Sequence, residues 1–468
     1  MSTTMQHTRT GWWLQEAGGA TPVAPLTGDD TADVLVVGGG YLGMWTAWQL
    51  VQADPGMRVA ILEAEVCGHG PSGRNGGMVN SVAQLVPELR ARHGDAAARA
   101  LLEASNGAVA GIGTWCEEQG VDAWYRAAPH LDVSTSESQD AGWEEIAAAC
   151  AAIGAADEVT LLDAAGVARI CSSPAFRGGA TVETSATVQP GRLALGLRAK
   201  LLQRGVALYE HSRVAAMHVA PATVTAETFG GGRITAPSVV LALGGGALRV
   251  APLRRRLSVA SSHIVLTEPV ADVIEAAGWT GGEGITDRRT LLHYFRTTRD
   301  HRIALGWGGG RMAFGSRIGG RMEVDASCAA QAEATVRRFF PALTGRRMTH
   351  AWGGPIDVSP THLPFFGSLG PRVHYGMGFT GNGVGPSHLG GRILAALAAD
   401  RRDDVTRLAI VEPDPKRFPP EPFRWVGGGA IRTALVRRDS AEEDGGHTDP
   451  ITDAITRLPK LLGMNLPR

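Results

Sequence analysis

The 468-residue chain has only three lysines, Lys200, Lys416 and Lys460, among 45 lysines and arginines. Schiff-base or general-base chemistry built on lysine therefore has few places to sit. Cysteine is also sparse. Cys67, Cys116, Cys150, Cys171 and Cys328 are scattered, with no CxxC pair and no Cys/His ligand spacing. No metal site is expected, and such a count suits free thiols in a reducing compartment. Neither charge sign is in surplus: 45 basic residues face 46 acidic ones, for a net charge of −1. A nucleic-acid footprint and an acidic tail are thus both missing. Met1 to Thr10 has no apolar core, so no secretory signal is expected and the cytoplasm is the expected location.

Long apolar runs are lacking too, with one exception. Val34 to Val51 is 18 residues without a charge, the usual threshold for a membrane span. Gly38, Gly39, Gly40 and Gly43 argue against one continuous helix there. A buried strand, a glycine turn and then a helix is the better reading, and no clear membrane segment remains. What the chain has in excess is glycine, 62 residues, nearly twice the usual ~7% share. With 44% hydrophobic and 19% charged residues, the chain is globular, and its length suggests two or three domains.

The glycines cluster. Gly38-x-Gly40-x-x-Gly43 follows the β-branched run Asp33–Val37 and opens a helix predicted over Tyr41–Ala53. A second strand, Arg58–Leu62, ends at Glu63, twenty residues beyond Gly43. This is the strand–turn–helix–strand context of a dinucleotide fingerprint. The first glycine makes the turn, the second admits the pyrophosphate, the third lets helix and strand pack, and Glu63 accepts ribose hydroxyls. No arginine follows Glu63 closely, which disfavours NADP. A second loop, Gly70–Gly77, offers the backbone of Gly73, Gly76 and Gly77, hydrogen bonds from Ser72 and Asn75, and the charge of Arg74. The physics alone splits evenly between a ligand-hugging loop and a surface turn. A third, Gly376–Gly385, leads into a helix whose N-terminus stabilises negative charge on a ligand. Gly244 closes a late strand near the nucleotide.

On Gly38–Gly43, Glu63, Ser72–Gly77, Ser261–Pro269, Tyr294–Arg296 with Arg302–Gly306, and Gly378–Gly383, the sequence resembles the FAD-dependent oxidoreductases of the D-amino-acid oxidase superfamily. The subgroup it most resembles is that of the γ-glutamylputrescine oxidoreductases. The likeness covers about residues 10–400. It implies an α/β fold: a Rossmann-like FAD-binding domain with an inserted antiparallel-sheet substrate domain. The FAD-binding domain is expected at 30–110, 175–255 and 350–400, and the substrate domain at 111–174 and 256–349. A polar N-terminal arm (1–29) and a tail (401–468) flank them. The tail has five prolines between Pro413 and Pro422 and two short amphipathic helices expected at 425–438 and 450–462.

The resemblance implies non-covalent FAD held by Gly38, Gly40, Tyr41, Leu42, Gly43, Glu63, Ala64, Ser72, Gly73, Arg74, Asn75, Gly76, Gly77, Val214, Gly244, Gly378, Gly381, Asn382, Gly383 and Val384. Cys67 and His69 lie near the second loop but not where a covalent link is expected. The implied reaction is oxidation of a C–N bond in a small amine or amino acid, with O2 or another electron acceptor. His263, Tyr294 and Arg296 are the substrate-pocket candidates. Tyr294 and Arg296 share one face of a strand at period two, and Arg296 is the nearest match to a carboxylate anchor. Trp352 is a second-rank wall candidate. Two other readings stay open: a flavin-binding protein without amine turnover, and an NAD(P)H-dependent flavin monooxygenase. The latter needs a second nucleotide site, and no other full glycine fingerprint is visible. Oligomer formation is left open.

Overall fold

A computed structural model describes residues 5–411, 416–443 and 445–461. The run Val34–Val37 is buried at every position and forms the centre of a six-stranded sheet. Val59–Leu62 and Ala207–Tyr209 lie to one side of it. Ser238–Leu241, Val373–Met377 and Phe365–Ser368 lie to the other. All pairs are parallel except the last. A parallel sheet needs both faces covered, which explains strands without polar alternation. On one face, helix Tyr41–Ala53 crosses helix Val384–Ala398 so closely that a Cβ on Gly391 would stand 2.6 Å from that of Trp45. Asp29–Thr31 joins Val214–Val219, Val224–Thr228 and Arg233–Ala236 in a separate four-stranded sheet.

A nine-stranded, mainly antiparallel sheet forms the second half of the molecule. Its central strands are Met348–Val358, Ser258–Thr267, Ile303–Trp307, His293–Thr297, Ile285–Asp287 and His130–Ser134, in that order. Helix Ala326–Phe339, not expected from the sequence, covers one face with Cys328, Ala332, Val336 and Phe339 buried. Asp325 caps it by accepting from Ser327 N and Cys328 N, a cap worth about 1 kcal/mol.

The strand partition departs from the expected segments. Gly178–Val182 and Met348–Val358 bond into the nine-stranded sheet rather than the six-stranded one. The N-terminal arm packs on the body. Gln6–His7 extends the nine-stranded sheet, and Trp12, Trp13 and Leu14 are buried on helix Trp12–Glu16. Two consecutive helices follow the second glycine loop, Val86–His93 and Asp95–Gln119. They part at Gly94, whose φ of +80° only glycine adopts readily. The tail forms one long helix, Phe423–Glu443, and a shorter one, Pro450–Leu461. Part of the proline-rich stretch lies outside the described residues. No described helix is long and apolar enough to cross a membrane.

Candidate active site

One cavity of about 1450 Å³ runs from the first glycine loop to the nine-stranded sheet. That exceeds the roughly 300–1,000 Å³ of an ordinary ligand pocket and leaves room for a dinucleotide beside a small molecule.

At its first end, Gly38, Gly40, Tyr41, Leu42, Glu63, Ala64, Val214 and Gly244 line the wall. Gly38 turns at φ +110°, and a Cβ there would meet Ala242 O at 2.3 Å. Gly43 does not reach the cavity. Its added Cβ would stand 1.9 Å from Gly38 O, so its bareness serves helix–strand contact. Glu63 accepts from Gly39 N at 2.7 Å and Glu65 N at 2.8 Å. Burial outweighs these bonds and raises its pKa. Its carboxylate thus sits on the glycine turn at the end of the second strand, where the fingerprint places a ribose acceptor.

The second loop folds over the first. Ser72 Oγ accepts from Tyr41 N at 2.8 Å, and Asn75 Oδ1 accepts from Gly77 N at 2.8 Å. Ser72, Arg74, Asn75, Gly76 and Gly77 all line the cavity. Gly73 faces the other way, against Gly68 O and Leu14. Arg74 brings less net charge than expected. It is buried, donates to Arg9 O at 2.7 Å, and pairs with Glu323 at 3.3 Å. On the third loop, Gly381, Asn382, Gly383 and Val384 line the cavity where helix Val384–Ala398 begins. Gly378 stands behind them, donating its N–H to Asp357 at 2.6 Å. Burial pushes Asp357 up to about 6.

The far wall is a row of residues paired across the nine-stranded sheet. Ile264 faces Gly306, Gly306 faces Tyr294, Tyr294 faces Thr286, and Thr286 faces Asp132. A Cβ on Gly306 would fall 2.0 Å from Tyr294 Cζ, so glycine lets the phenol ring lie across its neighbour strand. Ser262 Oγ donates to Trp307 O at 2.9 Å and therefore accepts from the Tyr294 hydroxyl at 2.7 Å. Burial pushes the Tyr294 phenol up to about 12, so it stays protonated. The ring also touches Gly76, where a Cβ would come within 2.7 Å of it. Tyr294 thus joins the second glycine loop to the far wall.

Two of the three pocket candidates lie elsewhere. His263 sits between Ser262 and Ile264, which face the cavity, and so points to the opposite face of its strand. Its Nε2 is 3.2 Å from Ser261 Oγ, and burial depresses its pKa to about 4. It is a neutral core histidine. Arg296 is not in the cavity wall either. Its Nη1 donates to Gly77 O at 3.1 Å and to Val188 O, and its guanidinium lies 5.7 Å from the Trp13 ring. Burial holds its pKa down at about 9. It fixes the second glycine loop from behind and is not a substrate anchor. Trp352 likewise stands behind the wall, donating from Nε1 to Arg74 O at 2.8 Å.

Two parts of the wall went unread in the sequence. One is Asp132 with Gln84, His130 and Thr286; the signal was an acid inside the short strand His130–Ser134, buried throughout. The other is the tail. Gly427, Gly428, Ile431, Arg432 and Leu435 line the cavity. Arg432 donates to the carbonyls of Gly309 and Gly310, and Gly428 lies against Met312. Gly308 and Gly310 of one glycine run and Gly427 and Gly428 of another thus line the same cavity.

A family model described as FAD-dependent oxidoreductase (DAO) matches residues 33–397. Gamma-glutamylputrescine oxidoreductase of Escherichia coli is 29% identical over 449 residues, covering 93% of this chain and 97% of that protein. Among solved structures, glycine oxidase from Geobacillus kaustophilus superposes with a TM-score of 0.67 at 20% identity, covering 82% of this chain and 99% of that one. L-proline dehydrogenase from P. horikoshii gives 0.66 at 16% identity, covering 82% and 96%.

Proposed function

The chain belongs to the family of FAD-dependent oxidoreductases, and on that premise we propose that its cavity oxidises a C–N bond of a small amine or amino acid. One observation carries this reading. Three glycine loops converge on one cavity, and that cavity continues into a polar row on the nine-stranded sheet. The relative from Escherichia coli, whose name identifies an amine substrate, matches along nearly the whole chain.

The residues fit the cofactor. Gly38, Gly40 and the N-terminus of helix Tyr41–Ala53 suit a pyrophosphate. Glu63 suits the ribose, and Ser72, Asn75, Gly76 and Gly77 suit the flavin ring. The helix that begins at Val384 suits the charge-bearing edge of a reduced flavin. We take FAD to be held without a covalent link, a reading supported by the full burial of Cys67, which pushes its thiol far above the reactive range. Bound FAD supplies a hydride acceptor, so the amine leaves as an imine that water hydrolyses to a carbonyl compound and an amine.

The chain's own residues position and shield. Tyr294, held by Ser262 and resting on Gly76, fixes one side of the substrate space. Its phenol stays protonated and gives its one proton to Ser262, so toward the substrate it accepts a hydrogen bond and does not abstract a proton. His263 is turned away. Neither of these two residues therefore takes the proton from a substrate ammonium. The tail helix covers the mouth and keeps water from the reacting carbon.

The test is a panel of primary amines, N-methyl amines and amino acids mixed without air with the purified yellow protein. Bleaching of the flavin band near about 450 nm by one of them supports the reading. Admission of air then tells O2 from another acceptor. Bleaching by NADH alone favours a monooxygenase and overturns it.

A further inference from the structure

The paired row of the far wall ends on a carboxylate. Asp132 is 5% exposed and lines the cavity. Gln84 Nε2 donates to its Oδ2 at 2.5 Å, and Thr286 Oγ1 donates to its Oδ1. Thr286, having given its proton, accepts from His130 Nε2 at 2.9 Å. A carboxylate has about four lone-pair sites, so two neutral donors leave it half satisfied. Among the described residues, the only basic side chain within ion-pair reach is His130, at 3.6 Å. Of the other buried or half-buried acids of the wall, Glu63 and Asp357 are met by backbone N–H groups, and two more are met by basic side chains. Asp287 holds His293 at 2.6 Å, and Glu323 holds Arg9 and Arg74. Buried charges are rarely left without a partner.

We infer that Asp132 is a cation subsite that binds a second, non-reacting ammonium or guanidinium group of the substrate. The substrate class is then a small amine with a further cationic group, not a simple amino-acid anion. The register supports the reach. Asp132 and Tyr294 lie two strands apart on one cross-strand row, about 10 Å at the usual strand spacing. A short aliphatic linker spans that distance. The inference rests on the amine-oxidation reading but is tested apart from it.

The probes are α,ω-diamines of three to six carbons and their monoamine counterparts. Binding is measured by calorimetry on the purified protein reduced with dithionite, where no turnover is possible. The best diamine should bind about tenfold or more tighter than the monoamine of equal length, as one charge-assisted hydrogen bond predicts. Asp132→Asn should close that gap, and Asp132→Glu should keep it. Equal binding of diamines and monoamines by the unmodified protein, or a gap that survives Asp132→Asn, overturns the inference. The unmodified protein alone decides the first point, so a variant that fails to fold does not rescue it. A diamine gap in a protein whose flavin no amine bleaches would uphold this subsite and refute amine oxidation. Bleaching without a gap would do the reverse.

Discussion

Tyr294 and Arg296 leave one strand on the same face, two residues apart, and meet different surroundings. Tyr294 faces open space; Arg296 has already passed under the Gly77 loop. Replacing Arg296 by Met removes donors from the carbonyls of Gly77 and Val188 and should lower folding stability by about 1–3 kcal/mol. Denaturant midpoints read this directly, and a selective rise in KM with stability unchanged would restore the anchor role. The two glycines of the fingerprint separate in the same way. Gly43→Ala drives a methyl into Gly38 O and should cost about 1–3 kcal/mol or more of stability. At Gly40 an added Cβ meets only Ser72 Oγ, at 3.1 Å. Gly40→Val should therefore fold yet emerge colourless, and a yellow purified variant would show that the cofactor does not approach this backbone.

Helix Val384–Ala398 shows an element under two demands. Its first turn closes the third glycine loop, and its middle packs on Trp45 through Gly391 and His388. Burial holds His388 near pKa 4 against an ordinary 6.5, and His263 and His362 behave alike. Their folded pKa values are depressed, so the stability they contribute is complete above pH 6.5. It is lost as pH falls toward 4, because the unfolded chain takes up protons that the folded chain refuses. Tm should fall across that window, and His388→Phe should flatten the fall; parallel curves for the two proteins would contradict this. Strand and helix existence was legible here because apolar runs and glycine turns are local signals. Helix Tyr41–Ala53 was read from them to the residue. The direction of His263 was not, since period two assigns residues to two faces without saying which one borders a cavity. Asp132 escaped for a related reason: its partners Gln84 and Thr286 are distant in sequence, and only the sheet brings them together.

At the scale of the molecule, the tail is the largest surprise. A proline-rich stretch says that a chain leaves a domain, but not where it returns. Arg424 is buried and donates to Arg254 O and Leu257 O, while Asp439 accepts from Leu291 N. These bonds seat helix Phe423–Glu443 on the cavity. A chain ending at Val411 should lose several degrees of Tm and retain flavin less well, and its KM for the amine should rise several-fold. An unchanged KM and flavin content would leave the tail no part in the site. The proposed chemistry itself is tested most directly by flavin reduction without air, using the most reactive amine with either hydrogen or deuterium on the carbon bearing nitrogen. Cleavage of that C–H bond predicts bleaching that is several-fold slower with deuterium. Bleaching at equal rates, or none with any amine, would contradict it.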